Sequence, residues 1–135
     1  MADEPVARGT AERWLARAKG NLARARQPKV AEAFWEDHCY DLQQAVEKSL
    51  KALLIARGVR PPRTHDLAEV LRALRAAGVP PAPNETAIAE LTRYAVAARY
   101  PSEFDPASEA DFRAALAVAN EVVAWCERLL ETGPR

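Results

Sequence analysis

The residues best suited to chemistry gather late in the chain. The stretch Arg93-Tyr94-Ala95-Val96-Ala97-Ala98-Arg99-Tyr100-Pro101 carries two guanidinium forks and an aromatic ring at its end. Guanidinium groups hold phosphate bidentately and stay charged at any physiological pH. A tyrosine ring offers a plate for a base. Arg93, Arg99 and Tyr100 together suit a phosphate joined to a base, as in a nucleotide or a short RNA. They lack a group tuned to move a proton near neutrality, since tyrosine titrates near ~10 and arginine stays protonated. Lys51 and His65 are the groups expected beside them. The competing readings are an ordinary surface pair for Arg93 and Arg99, and a histidine bonding to backbone at a helix start for His65. No catalytic residue is assigned. No Cys/His cluster has metal-ligand spacing, so neither a metal nor another cofactor is expected.

Helices must position these groups. The organising stretch is His38 to Gly58, HCYDLQQAVEKSLKALLIARG. Leu42, Val46, Ser49, Leu50, Leu53 and Leu54 recur at spacings of three and four, along one side of a helix. Gln43, Gln44, Glu47, Lys48 and Lys51 fall largely on the other side. Phe34, Trp35 and Cys39 continue the inner face, and a helix from Lys29 to Arg57 would reach ~43 Å. Gly58 suits a left-handed cap.

A first helix runs from a Thr10 cap to about Arg26, burying Trp14, Leu15, Ala18, Leu22 and Ala25. Arg13, Arg17, Lys19, Arg24 and Arg26 decorate its remainder, either as a solvated face or as a surface for phosphate or an acidic partner. A third helix follows Thr64-His65-Asp66, with Asp66 and Glu69 as a capping box or Thr64 as an alternative cap, and ends at Gly78. Its core face is Leu67, Val70, Leu71 and Leu74. A fourth starts at Asn84, buries Ile88, Leu91 and Ala95, and ends at Arg-Tyr-Pro. Pro101 disfavours helix at Tyr100. Arg93 and Arg99 would sit ~120° apart on a continuing helix, so they share a site only if it loosens before Pro101. A fifth opens at Asp105-Pro106 and carries Phe112, Leu116, Ala119, Val123, Cys126 and Leu130 to Gly133.

The 135 residues suffice for one domain that needs no disulfide or metal. Formal net charge is zero, so nothing global recommends nucleic acid or an anionic membrane. Cys39 and Cys126 lie in apolar helical patterns and read as buried thiols. No stretch approaches the ~20 apolar residues of a membrane span and no signal core opens the chain, which points to a cytoplasmic protein without membrane contact. Few Met, Cys and Asn with many Arg and Pro hint at a thermophile.

The order of the motifs resembles the HEPN family of small helical domains. The run Gln43-Gln44-Ala45-Val46-Glu47-Lys48-Ser49-Leu50-Lys51-Ala52-Leu53-Leu54 is similar to its second helix, and His65-Asp66-Leu67, Arg99-Tyr100-Pro101 and a closing helix follow in order. The resemblance implies one of two activities. Some members are metal-independent RNases using an arginine and, four to six residues on, a histidine at a dimer interface. Others are nucleotide-binding companions of small nucleotidyltransferases. Arg93 matches the arginine, but Ala98, Arg99 and Tyr100 stand where the histidine belongs. The resemblance further implies that a tyrosine near this motif, here Tyr100, can accept adenylyl groups from the partner.

The expectation is an all-α, up-and-down bundle of four long helices plus one short helix, a single domain over 1–135 with residues 1–9 and 132–135 frayed. The resemblance implies a bacterial homodimer that binds nucleotide or RNA beside a separate minimal nucleotidyltransferase, in a toxin–antitoxin-like pair. The alternatives are an atypical metal-independent RNase toxin and a non-catalytic oligomerisation module.

Overall fold

The structure, a computed structural model, describes residues 8–97, 100 and 106–132. All regular structure among them is helical: α1 (Arg8–Ala25), α2 (Trp35–Ala56), α3 (Leu67–Ala76), α4 (Glu85–Glu90), α5 (Thr92–Ala97) and α6 (Glu109–Thr132). The expected all-α bundle is what the chain forms. Of the stretches expected to fray, 1–9 and 132–135, residues 1–7 and 133–135 lie outside the described residues, as do the caps at Asp105 and Gly133. α1 already begins at Arg8, ahead of the expected Thr10 cap, and α6 includes Thr132.

α2 is the spine. It packs most extensively on α1, then on α6, and also touches α3 and α5. Leu42, Val46, Leu50 and Leu54 are fully buried along it, and Leu53 is 4% exposed. α1 contributes Ala11, Leu15, Ala18, Leu22 and Ala25, and α6 contributes Ala115, Ala119, Val122, Cys126 and Leu130. Both thiols are free and buried.

Three further expectations need correction. α2 starts at Trp35 rather than Lys29, so its 22 residues span ~33 Å. Asp37 sets that start: its carboxylate accepts from the Phe34 amide at 3.2 Å, while the Asp37 amide donates to the Phe34 carbonyl at 3.0 Å. Phe34 accordingly stands outside the helix and is 65% exposed, not part of the inner face. The fourth helix is broken at Leu91 into α4 and α5. Finally, α6 starts at Glu109, where Ser108 and Asp111 form a reciprocal cap with amide-to-side-chain bonds of 2.9 and 3.1 Å.

Both glycine stops are as the sequence demands. Gly58 (φ 74°) and Gly78 (φ 82°) take the left-handed conformation. The amides of Val59 and Val79 then reach back to the carbonyls of Leu54 and Leu74 at 2.9 and 3.0 Å, closing a Schellman turn each time. The first of these turns the chain into the 59–66 loop that lies over the middle of α2.

Candidate functional site

That loop covers the polar side of α2. Gln43 is fully buried and Gln44, Glu47 and Lys51 are 9%, 4% and 6% exposed, so the helix side read as outward is interior. The reason is topological: the 59–66 loop, α3 and α5 close over a face that a lone amphipathic helix would leave in water. Lys48 alone of the five is only half-buried.

Buried charge is tolerated only when paired and hydrogen-bonded, and here it is. Glu47 Oε1 accepts from Gln43 Nε2 at 3.0 Å and from His65 Nδ1 at 2.9 Å. Its Oε2 accepts from Lys51 Nζ at 3.0 Å. Lys51 Nζ also donates to the Thr64 carbonyl at 2.8 Å, and Gln43 Nε2 to the His65 carbonyl at 3.3 Å. Burial pushes the Glu47 carboxyl up, but the bonds from His65, Gln43 and Lys51 outweigh it and hold the group below its ordinary value. An ionised Glu47 makes Nδ1 the donor, which leaves Nε2 as the acceptor of the neutral ring. The His65 side chain is 51% exposed. Its ring is thus anchored at one nitrogen and wet over half its surface.

The same loop aims the start of α3. The Thr64 hydroxyl accepts from the Asp66 amide, and the Asp66 carboxylate accepts from the Ala68 amide, each at 3.0 Å. The Leu67 amide donates to the Thr92 hydroxyl at 3.0 Å, which fastens the loop to the first residue of α5. Arg93 is the next residue. It is exposed, and its guanidinium lies 5.2 Å from the Tyr94 ring centroid. A cavity of about 300 Å³ opens here between α4, α5 and α6, lined among others by Glu90, Arg93, Tyr94, Asp111 and Ala115. Backbone and side-chain bonds from Ser108 keep Asp111 below the usual carboxylate range, with the Arg93 charge assisting. Beneath the cavity Tyr94 is 7% exposed and bonded to Cys39. Burial pushes the Tyr94 hydroxyl up to about 12 and the Cys39 thiol to about 11.

Of the residues chosen from sequence, Lys51 and His65 are brought together through Glu47. Arg93 stands at the other side of the Leu67–Thr92 link, in the α5 cavity. Tyr100 stands beyond the end of α5, is 54% exposed, and its amide donates to the Val96 carbonyl at 3.2 Å. Arg99 lies outside the described residues. Sequence reasoning missed Glu47, the hub, and Asp111, the acid facing Arg93. The available signal for Glu47 was its i,i+4 pairing with Lys51 under a helix-start histidine.

No curated protein and no solved structure matches the chain. A family model, described as HEPN domain, matches residues 11–129 and so takes in α2, the His65 loop, α5 and nearly all of α6. With that match, the chain belongs to the HEPN family.

Proposed function

We propose that this HEPN domain is a nucleotide- or RNA-binding module that works as a homodimer with a separate nucleotidyltransferase, in a toxin–antitoxin-like pair. The observation that carries the reading is the fastening of α5 to the His65 loop through Leu67 and Thr92, at 3.0 Å. It couples an exposed guanidinium to a half-exposed imidazole across two elements. Arg93 and Arg99 grip phosphate, Tyr100 stacks on a base, and His65 donates or accepts at the rim. Lys51 acts from beneath, since its ammonium is given to Glu47 and the Thr64 carbonyl. Val96 and Tyr100, 40% and 54% exposed and four apart, leave apolar surface at this end for a second copy. Tyr100 is also the residue a nucleotidyltransferase partner would modify. Affinity purification from the native cell tests the pairing: co-purification of a small nucleotidyltransferase supports it, and its absence from a preparation that retains the HEPN dimer removes it.

One observation favours a second reading, metal-independent RNA cleavage. The Glu47–His65 bond of 2.9 Å is a carboxylate-oriented imidazole, the arrangement a general base uses. It supplies a histidine that the Arg93 stretch itself lacks. Cleavage of RNA in a chelator, abolished by His65→Ala and kept by Tyr100→Phe, would establish this reading over binding alone.

A further inference from the structure

A second basic feature lies on the other side of the spine. α1 turns Ala11, Leu15, Ala18 and Leu22 into the core. Thr10, Arg13, Trp14 and Arg17 form the adjoining strip, at spacings that make them neighbours on one helix surface. With Lys48 of α2 they line a cavity of about 360 Å³. That size falls at the lower end of small-molecule sites, ~300–1,000 Å³.

Among the described residues no ion pair holds Arg13, Arg17 or Lys48, unlike Lys19 and Arg24 of α1. Lys19 pairs with Glu127 at 2.6 Å, and Arg24 grips Asp41 through two bonds of 2.6 and 3.0 Å. Arg26 donates to Asn120. Among the described residues no carboxylate is paired with Arg13 or Arg17. Lys48 is held but not neutralised. Its ammonium donates to the Asn21 amide oxygen at 2.8 Å, and Asn21 in turn donates to Asp41 at 3.0 Å. Asp41 is therefore filled by Arg24 and Asn21. Burial holds the Lys48 ammonium below the ordinary lysine value, and the Arg17 charge adds to it. A dianion would relieve the second effect. The wall beside these cations is Trp14, half-buried and packed against the core.

We propose that the cavity at Arg13, Trp14, Arg17 and Lys48 is a second ligand site, taking a phosphorylated nucleoside with its phosphate on the three cations and its base against the Trp14 ring. The site is independent of the Arg93 surface, so either can fail without the other. Its ligand is a free nucleotide or the phosphorylated end of an RNA, which share this chemistry. Tryptophan fluorescence reads it directly, because Trp14 is one of only three tryptophans. The probes are ATP in a chelator and a short single-stranded RNA with or without a 5′-phosphate.

Saturable, salt-sensitive quenching by ATP is expected for a free-nucleotide site, and by the 5′-phosphorylated RNA alone for an RNA-end site. Trp14→Phe should lose the quench while calorimetry still detects binding. Arg13→Gln with Arg17→Gln should weaken binding by ~10-fold or more, the loss of charge-assisted bonds to phosphate. Both arginines are exposed, so the double variant should melt as wild type does. Arg93→Ala should leave the quench unchanged. No saturable quench with any probe, or equal affinity in the double arginine variant, overturns the proposal.

Discussion

A carboxylate that is 4% exposed, as at Glu47, survives in a core only because each oxygen is filled and a cation stands beside it. Lys51 supplies that cation, itself 6% exposed. Lys51→Met should therefore cost ~3–5 kcal/mol in urea denaturation, chiefly by stranding the acid. Glu47 also sets a pH dependence whose sign is fixed by its folded value lying below the ordinary 4.5. Its contribution is complete above pH 4.5 and is lost as pH falls through the folded value. Glu47→Gln should accordingly be less stable than wild type at pH 7, by ~1.5–3 kcal/mol, with the gap closing under acid. A constant gap from pH 7 to 3 would mean that the network does not hold the ionised form. The thiols give a third expectation. Burial raises Cys39 to about 11 and Cys126 to about 12, so neither should be alkylated at pH 8 until the chain unfolds, as mass spectrometry would count.

At the scale of elements, the helices legible in the sequence are those whose ends carry their own chemistry. Gly58 and Gly78 announce two stops, Asp66 a start, and the Leu67–Leu74 stripe a core face. What could not be read depends on tertiary contact. Nothing between Ile88 and Tyr94 breaks a helix by composition, yet the chain breaks at Leu91, where the Thr92 hydroxyl takes the Leu67 amide of another element. The polar side of α2 looked solvated because its covering, the 59–66 loop, has no periodicity to betray it. The candidate site was legible in the same uneven way. Arg93 and His65 were visible as residue types, whereas the Glu47 bond that orients His65 needed the loop in place. Two substitutions measure these elements. Leu53→Ala on the spine should cost ~2–5 kcal/mol, and a loss under ~0.5 kcal/mol would put it on the surface. Thr92→Val keeps shape and removes the acceptor, so it should cost ~1–3 kcal/mol and loosen hydrogen-exchange protection at Leu67.

For the whole molecule, zero net charge hides an uneven distribution. Arg13 and Arg17 on α1 have no ion-pair partner among the described residues, and Arg93 lines the α5 cavity with Asp111. Between them α2 is packed on several sides, which holds the two surfaces apart as fixed features of one bundle. A two-fold dimer through the Val96–Tyr100 end would bring two copies of the Arg93 surface together while leaving the α1 cavities outward. Light scattering at high micromolar concentration should show twice the monomer mass, and Tyr100→Glu should halve it. The central claim, that the surface reaching from His65 to Arg93 and Tyr100 binds nucleotide or RNA, is tested most directly by fluorescence anisotropy of a labelled single-stranded RNA. The protein carries Arg13→Gln and Arg17→Gln, which silence the other basic surface, and the titration is run at rising salt with and without Arg93→Ala. The account predicts salt-sensitive binding that Arg93→Ala weakens by ~10-fold. Binding of equal strength with and without Arg93, or no binding at low salt, would contradict it.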